Sequence, residues 1–207
     1  MKRLIACSAM ILTLALGAAL AAADEMMMMP KAGPESMALA KFFGKNATWT
    51  GHCPAGAMGP DSKEVTTHGK VTTHSMYGGL WYACDVEDMM GTGKQAMTWK
   101  GHMIVGWDMG AKAYRGFAVD NMGVGTPWEG QMEGNKFSMW TPNDVMMMGQ
   151  MMKDRLTWVI NDDGTVAFTD EHKVGEGDWT VAETGTMKTM GGKAKKMAPK
   201  SEASAAK

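Results

Sequence analysis

Five of the seven residues from Met146 to Met152 are methionine, and four more stand in a row at Met26–Met29. Thioethers are soft donors that suit Cu(I), so two such runs in a chain of 25 methionines raise metal handling as a candidate chemistry. Histidines that could join them are His74, near Met76, and His102, beside Met103, while His68 and His74 share one face of a strand. In an extended strand His102 and Met103 point to opposite sides and cannot ligate one ion together. Methionine is also a pliable apolar filler, and Met97, Met103, Met132 and Met139 fall at strand positions that a core would occupy. The expectation is filler within strands and a surface role for the two runs. No metal ligands and no cofactor are assigned.

Other reactive constellations are sparse. The chain has no G-x-S-x-G nucleophile turn and no H-E-x-x-H zinc motif, and its "GTGK" at Gly91–Lys94 falls in a turn without the helix start that a phosphate cradle needs. Asp170 and His172 lie two residues apart, on one face of an expected strand and within reach of a hydrogen bond. They are read as a solvated strand end. No catalytic residue is assigned.

The first residues address the chain rather than build it. Lys2 and Arg3, an apolar stretch over Leu4–Leu20 and Ala21-Ala22-Ala23 ahead of Asp24 read as a signal peptide over residues 1–23. "LIAC" at Leu4–Cys7 precedes most of the apolar stretch and is not read as a lipidation box. Export to the periplasm or the medium follows, with no membrane attachment after cleavage. An oxidising compartment makes Cys53 and Cys84 an expected disulfide. In a simple meander strands one and three lie two spacings apart, about 9–10 Å. That exceeds disulfide reach, so the bond needs a strand end such as Cys53 beside Pro54. The body is acidic and the tail from Met187 to Lys207 carries six lysines against one acid. An acidic body repels phosphate backbones, which argues against nucleic acid as a partner.

The elements that must position these residues follow from periodicity. Residues 24–33 form a Met-rich linker, and "PESMALAKFFG" reads as a short helix with Pro34 and Glu35 in its first turn and Gly44 as its stop. Met37, Ala40 and Phe43 would share its apolar face. About ten strands then follow, at Ala47–Cys53, Glu64–Ser75, Leu80–Glu87, Ala96–Trp107, Ala113–Asp120, Trp128–Glu133, Lys136–Trp140, Arg155–Asn161, Thr165–His172 and Trp179–Thr186. Linkers as short as "EGN" and "NDDG" force antiparallel neighbours, because a parallel crossover needs a dozen residues or more. The expected fold is therefore all-β: one antiparallel up-and-down barrel over residues 34–186, with a disordered tail at 187–207. Met146–Met152 is expected as a loop or one helical turn over the mouth. Inward positions that could line a cavity are Trp49, Tyr82, Trp99, Met103, Trp158 and Phe168.

An ordered set of features carries a resemblance: "GPE" before the helix, "FFGKNATWTG", "MYGGLWYACDVE", "GHMIVGWD" and "AYRGFAVDNMG". The chain resembles the bacterial domain-of-unknown-function 1579 family, mostly exported and grouped with lipocalin-like, or calycin, barrels. The resemblance covers roughly Pro34 to Thr186 and implies a barrel with Trp49 packed at its closed end. The Gly44-to-Trp49 spacing is longer than usual for the family, and "ETGTMK" stands where members close on an aromatic-Arg pair. The family carries no established reaction, so no catalytic residue transfers. Related barrels elsewhere ligate haem through histidine, and His172 is the one candidate here; no haem is assigned. The expected function is non-catalytic binding of a small, largely apolar molecule, with Met-based Cu(I) handling as the alternative and an enzyme of unrecognised type as a third.

Overall fold

The computed structural model describes residues 30–190 apart from 58, 92, 94, 95 and 148. The leader, the Met26–Met29 run and the tail beyond Met190 lie outside the described residues. Helix α1 spans Pro34–Phe43. Eleven strands follow: β1 Ala47–Cys53, β2 Val65–Met76, β3 Trp81–Met90, β4 Met97–Asp108, β5 Ala113–Asp120, β6 Gly125–Glu133, β7 Lys136–Trp140, β8 Val145–Met147, β9 Gln150–Ile160, β10 Val166–Val174 and β11 Thr180–Thr189.

Successive strands from β1 to β7 pair antiparallel, β9 continues beside β7, and β11 pairs with both β10 and β1. Pairing of β9 with β10 completes the ring, so ten strands form a closed barrel and leave no long edge to aggregate. The hairpins hold as expected. At β6–β7, Glu133 faces Lys136 across a two-residue turn in which Gly134 takes a left-handed φ of 63°. The last strand runs to Thr189, three residues past the expected end, and Met187 packs against the core.

Strand β8 is the extra element, and it corrects the reading of the methionine run. Val145, Met146 and Met147 pair with Met152, Met151 and Gln150, so the run is a β-hairpin that prolongs β9, not a loop or helical turn. Gly149, at φ 79°, supplies the tight reversal. Alternation then sorts the sulfurs: Met152 is buried, while Met146 and Met151 stand opposite one another and exposed.

The helix packs Ala40 and Phe43 inward as expected, but its buried stripe is centred away from Met37. Leu39 and Phe43 enter the core with Ser36, whereas Met37 is 58% exposed. Ser36, Leu39 and Phe43 follow the three-to-four-residue spacing of a single stripe. Gly44 stops the helix, its N–H donating to the Ala40 carbonyl at 2.9 Å. Seated against β3 and β4, the helix drives Phe43 between Phe137 (5.8 Å between ring centroids) and Trp158 (5.5 Å). Phe137 is wholly buried, edge-on to Tyr114 at 5.4 Å and stacked on Trp158 at 5.8 Å. Each such ring pair contributes about 0.5–1.5 kcal/mol beyond simple burial. One end of the lumen is thus filled with aromatic rings.

The expected disulfide is not formed. Cys53 and Cys84 are both buried free thiols. Their placement explains it: on β2, Cys53 faces Val65 and Cys84 faces Thr73, eight residues further along. At ~3.3 Å per residue that is about 26 Å along β2, far outside disulfide reach. Among the methionines expected as core, Met103 and Met139 are buried and Met132 packs against the core, but Met97 is 42% exposed at a strand end.

Candidate functional site

The inward phase of the strands does not stop where the apolar residues stop. On β3 the series Tyr82, Cys84, Val86 continues to Asp88, which is buried. On β9, Asp154 stands two residues before Leu156; on β10, Asp170 and His172 follow Phe168; on β11, Glu183 stands two before Gly185. A period of two keeps these polar residues on the lumen face. Register then gathers them, because His172 lies directly across from Asp154 and Asp170 directly across from Glu183. The β10–β11 register shifts between Asp170 and Glu171, leaving Ala182 as an extra residue on β11. Such bulges re-aim side chains, and here Ala182 is buried beside the inward Glu183.

Local contacts hold the group in place. Thr67, wholly buried, donates its hydroxyl to Glu183 Oε1. Gly51 makes that contact sterically possible, since a Cβ there would run into Glu183 Oε1 and Thr67 Oγ1. Asp154 is tied at its backbone: its N–H donates to Thr141 Oγ1 at 3.0 Å, and the Thr141 N–H returns to its carbonyl at 2.9 Å. On the outer wall Arg155 donates through Nε and Nη2 to Glu171 Oε2, both at 2.8 Å, and its guanidinium stacks on Trp179 at 4.3 Å. That clamp locks β9 to β10 directly behind Asp154, Asp170 and His172.

Burial makes the carboxyls hard to ionise. Burial first, then the charges of Asp88 and Asp170, push Glu183 up to about 8. Burial also raises Asp88, against the lowering contributed by a proton from Glu183 and by the nearby Trp49 indole. The indole stands close but closes no hydrogen bond, since Trp49 Nε1 has no partner. Asp154 is raised well above the carboxylate range, by burial and then by the charge of Asp170. Cys53, at the same end, is held up to about 12 by burial and by Glu183, Asp88 and Asp170, so it stays a thiol.

Four atoms of the group are buried without a hydrogen-bond partner: Asp88 Oδ1, Asp154 Oδ1, Asp170 Oδ1 and His172 Nε2. Orphaned polar atoms inside proteins are rare and costly, at about 1–3 kcal/mol each. No lysine or arginine forms an ion pair with Asp88, Asp154, Asp170 or Glu183 among the described residues. Asp170 Oδ1 and His172 Nε2 stand 3.6 Å apart. One donor atom each from Asp154, Asp170 and His172 lie within 4.8 Å of one another. Chemically, the group can hold a cation or share protons between paired carboxyls.

The residues expected to line an apolar cavity belong for the most part to the packed core. Tyr82, Met103, Trp158 and Phe168 are core members, and Trp49 packs against that core edge-on to Phe168 at 6.0 Å. Trp49 lies over Gly69, between the aromatic end and the carboxyl end rather than at the closed end itself. Trp99 covers Gly101 and donates its indole N–H to Asp120 Oδ2 at 3.2 Å. Two pockets, of about 350 and 550 Å³, open on the outer wall: Lys136, Trp140 and Arg155 help line one, His68, Lys70 and Glu87 the other. His68, His74 and His102 are also on the outer wall, with His102 Nδ1 2.8 Å from Asp85 Oδ1 and His74 Nε2 4.0 Å from Asp85 Oδ2.

Asp170 and His172, read from sequence as a solvated strand end, are inward and largely buried, with side chains 22% and 14% exposed. Sequence reasoning missed Asp88, Asp154, Glu183 and Thr67. The available signal was phase: each polar residue continues an inward apolar series two residues on.

The family model described as "Protein of unknown function (DUF1579)" matches residues 31–189. No curated protein matches the chain.

Proposed function

The chain belongs to the DUF1579 family of unknown function, and we infer from its own geometry that it is a non-catalytic binding barrel taking a small cationic guest at the carboxyl-lined end of its lumen. The observation that carries this reading is Asp154, 5% exposed, with one oxygen unpartnered and a carboxylate oxygen within 4.8 Å of donors on Asp170 and His172. A positive guest would relieve both the missing partners and the mutual repulsion of the carboxyls. An apolar guest, the expectation from sequence, has less support, because the ring-lined half is packed by α1. The part-exposed Asp170 and His172 give solvent, and hence a guest, a way in. The neighbouring Cys53 thiol, held protonated, is not poised as a nucleophile. Export through residues 1–23 belongs to the same reading and is tested by N-terminal sequencing of the mature protein.

A thermal-shift panel on the full chain at about pH 8 tests it, setting organic ammonium ions and metal ions against neutral apolar probes. A guest at a hundred times its Kd stabilises by about 2.7 kcal/mol, so cations should raise the melting temperature by several degrees. Stabilisation by apolar probes alone would overturn the cationic reading and restore the apolar one.

A second reading, Cu(I) binding, keeps one supporting observation: Met146 and Met151 are exposed cross-strand partners, two soft donors within reach of one ion. Anaerobic Cu(I) titration of Met146→Leu/Met151→Leu against a competing chelator tests it. Unchanged affinity removes that site.

A further inference from the structure

We propose that Asp154, Asp170 and His172 form a three-ligand site for a divalent cation of the zinc type, a deepening that rests on the cation-binding reading. Three independent features of the fold converge on it. First, the ligands are set by backbone register rather than by side-chain reach. Asp154 and His172 are cross-strand partners on β9 and β10, and Asp170 is the next inward residue on β10. Second, the donor atoms are already close. Two ligands about 2.1 Å from a tetrahedral ion lie about 3.4 Å apart. Asp170 Oδ1 and His172 Nε2 stand at 3.6 Å, and all three donors fall within 4.8 Å. Third, Asp154 Oδ1, Asp170 Oδ1 and His172 Nε2 are buried with no hydrogen bond to satisfy them, their near contacts being one another.

The donor set selects the class of ion. One imidazole nitrogen with two carboxylates suits a borderline cation such as Zn²⁺, whereas Mg²⁺ and Ca²⁺ prefer oxygen alone and Cu(I) prefers sulfur. Three protein ligands leave a fourth tetrahedral position for water or another ligand; the Asp170 and His172 side chains are 22% and 14% exposed. Behind the ligands, the Arg155–Glu171 clamp stacked on Trp179 holds the two strands in register, the role that outer-shell partners play in metal sites. Glu171 sits between the two β10 ligands in sequence and Arg155 follows Asp154. One ion pair therefore fixes the backbone at all three.

The test is isothermal titration of chelator-stripped, full-length protein with Zn²⁺. The expected result is one saturable site per chain. Asp154→Asn and His172→Gln should each weaken it by at least about 100-fold, the upper range seen even for outer-shell losses. His74→Ala/His102→Ala, which strips imidazoles from the outer wall, should leave it unchanged. Should Asp154→Asn fail to fold, His172→Gln, nearer the solvent, supplies the same comparison. Absence of saturable binding overturns the site, as does affinity indifferent to both interior substitutions or lost with the outer histidines. If Zn²⁺ fails while an organic ammonium ion still raises the melting temperature, the zinc site falls and the cation-binding reading stands. If both fail, both fall.

Discussion

The two halves of the lumen are built from the same strands and hold opposite chemistry. Strand β3 contributes Tyr82 to one half and Asp88 to the other; β9 contributes Trp158 and Asp154; β10 contributes Phe168 and His172. Toward α1 the rings of Phe43, Tyr114, Phe137 and Trp158 contact one another. Toward the other end Asp88, Asp154, Asp170 and Glu183 face inward, the three aspartates each with an orphaned oxygen. The contrast separates stability from function. A filled, partnered half holds the fold together, while a half that is buried but unpartnered costs stability, a cost that the proposed guest would offset.

That contrast can be broken at either end. Phe137→Ala should produce the largest loss, about 3–5 kcal/mol by denaturant unfolding, because it empties the centre of the aromatic half. Leu39→Ala should follow at about 2–5 kcal/mol, whereas Met37→Ala, on the opposite helix face, should stay within about 0.5 kcal/mol. Equal costs at the two positions would reverse the assignment of the buried face.

The carboxyl half should answer to pH instead. Glu183, raised to about 8, and Asp88, also raised, bind protons more tightly folded than unfolded. The Glu183 contribution is therefore complete below an unfolded value near 4 and is lost as pH rises through about 8, and that of Asp88 is lost in the same direction. Metal-free protein should lose melting temperature steadily across that window, and a flat profile would mean that these carboxyls are not buried as described. Glycine 51 sharpens the same point sterically. Gly51→Ala should cost about 1–3 kcal/mol, since the new methyl meets Glu183 and Thr67. The smallest expected effect is that of reductant: with both thiols free, dithiothreitol should leave the melting temperature unchanged.

Much of the wall is legible in the sequence. Strands β1, β5 and β7 begin and end at the residues that alternation picks out, because a period of two is a property of chain neighbours. Short turns dictated antiparallel pairing for the same reason. The candidate site was half legible. Asp170 and His172 were seen to share a face, but a lone strand does not say whether that face meets solvent or lumen. Asp154 was passed over because the methionine run hid the first half of β9, whose hairpin with β8 depends on a two-residue reversal at Gly149.

Local alternation and turn chemistry were enough to establish an all-β chain whose strands pair with their neighbours. How far each strand slides past the next is a different quantity, summed over hairpins and closed by the contact of β1 with β11. That sum puts Cys53 and Cys84 at opposite ends of the barrel, and brings acids from β3, β9, β10 and β11 to one end. Residues as far apart in the chain as Thr67 and Glu183 become neighbours through it. No stretch of sequence encodes such a meeting, because the energy that enforces it comes from closing the whole ring.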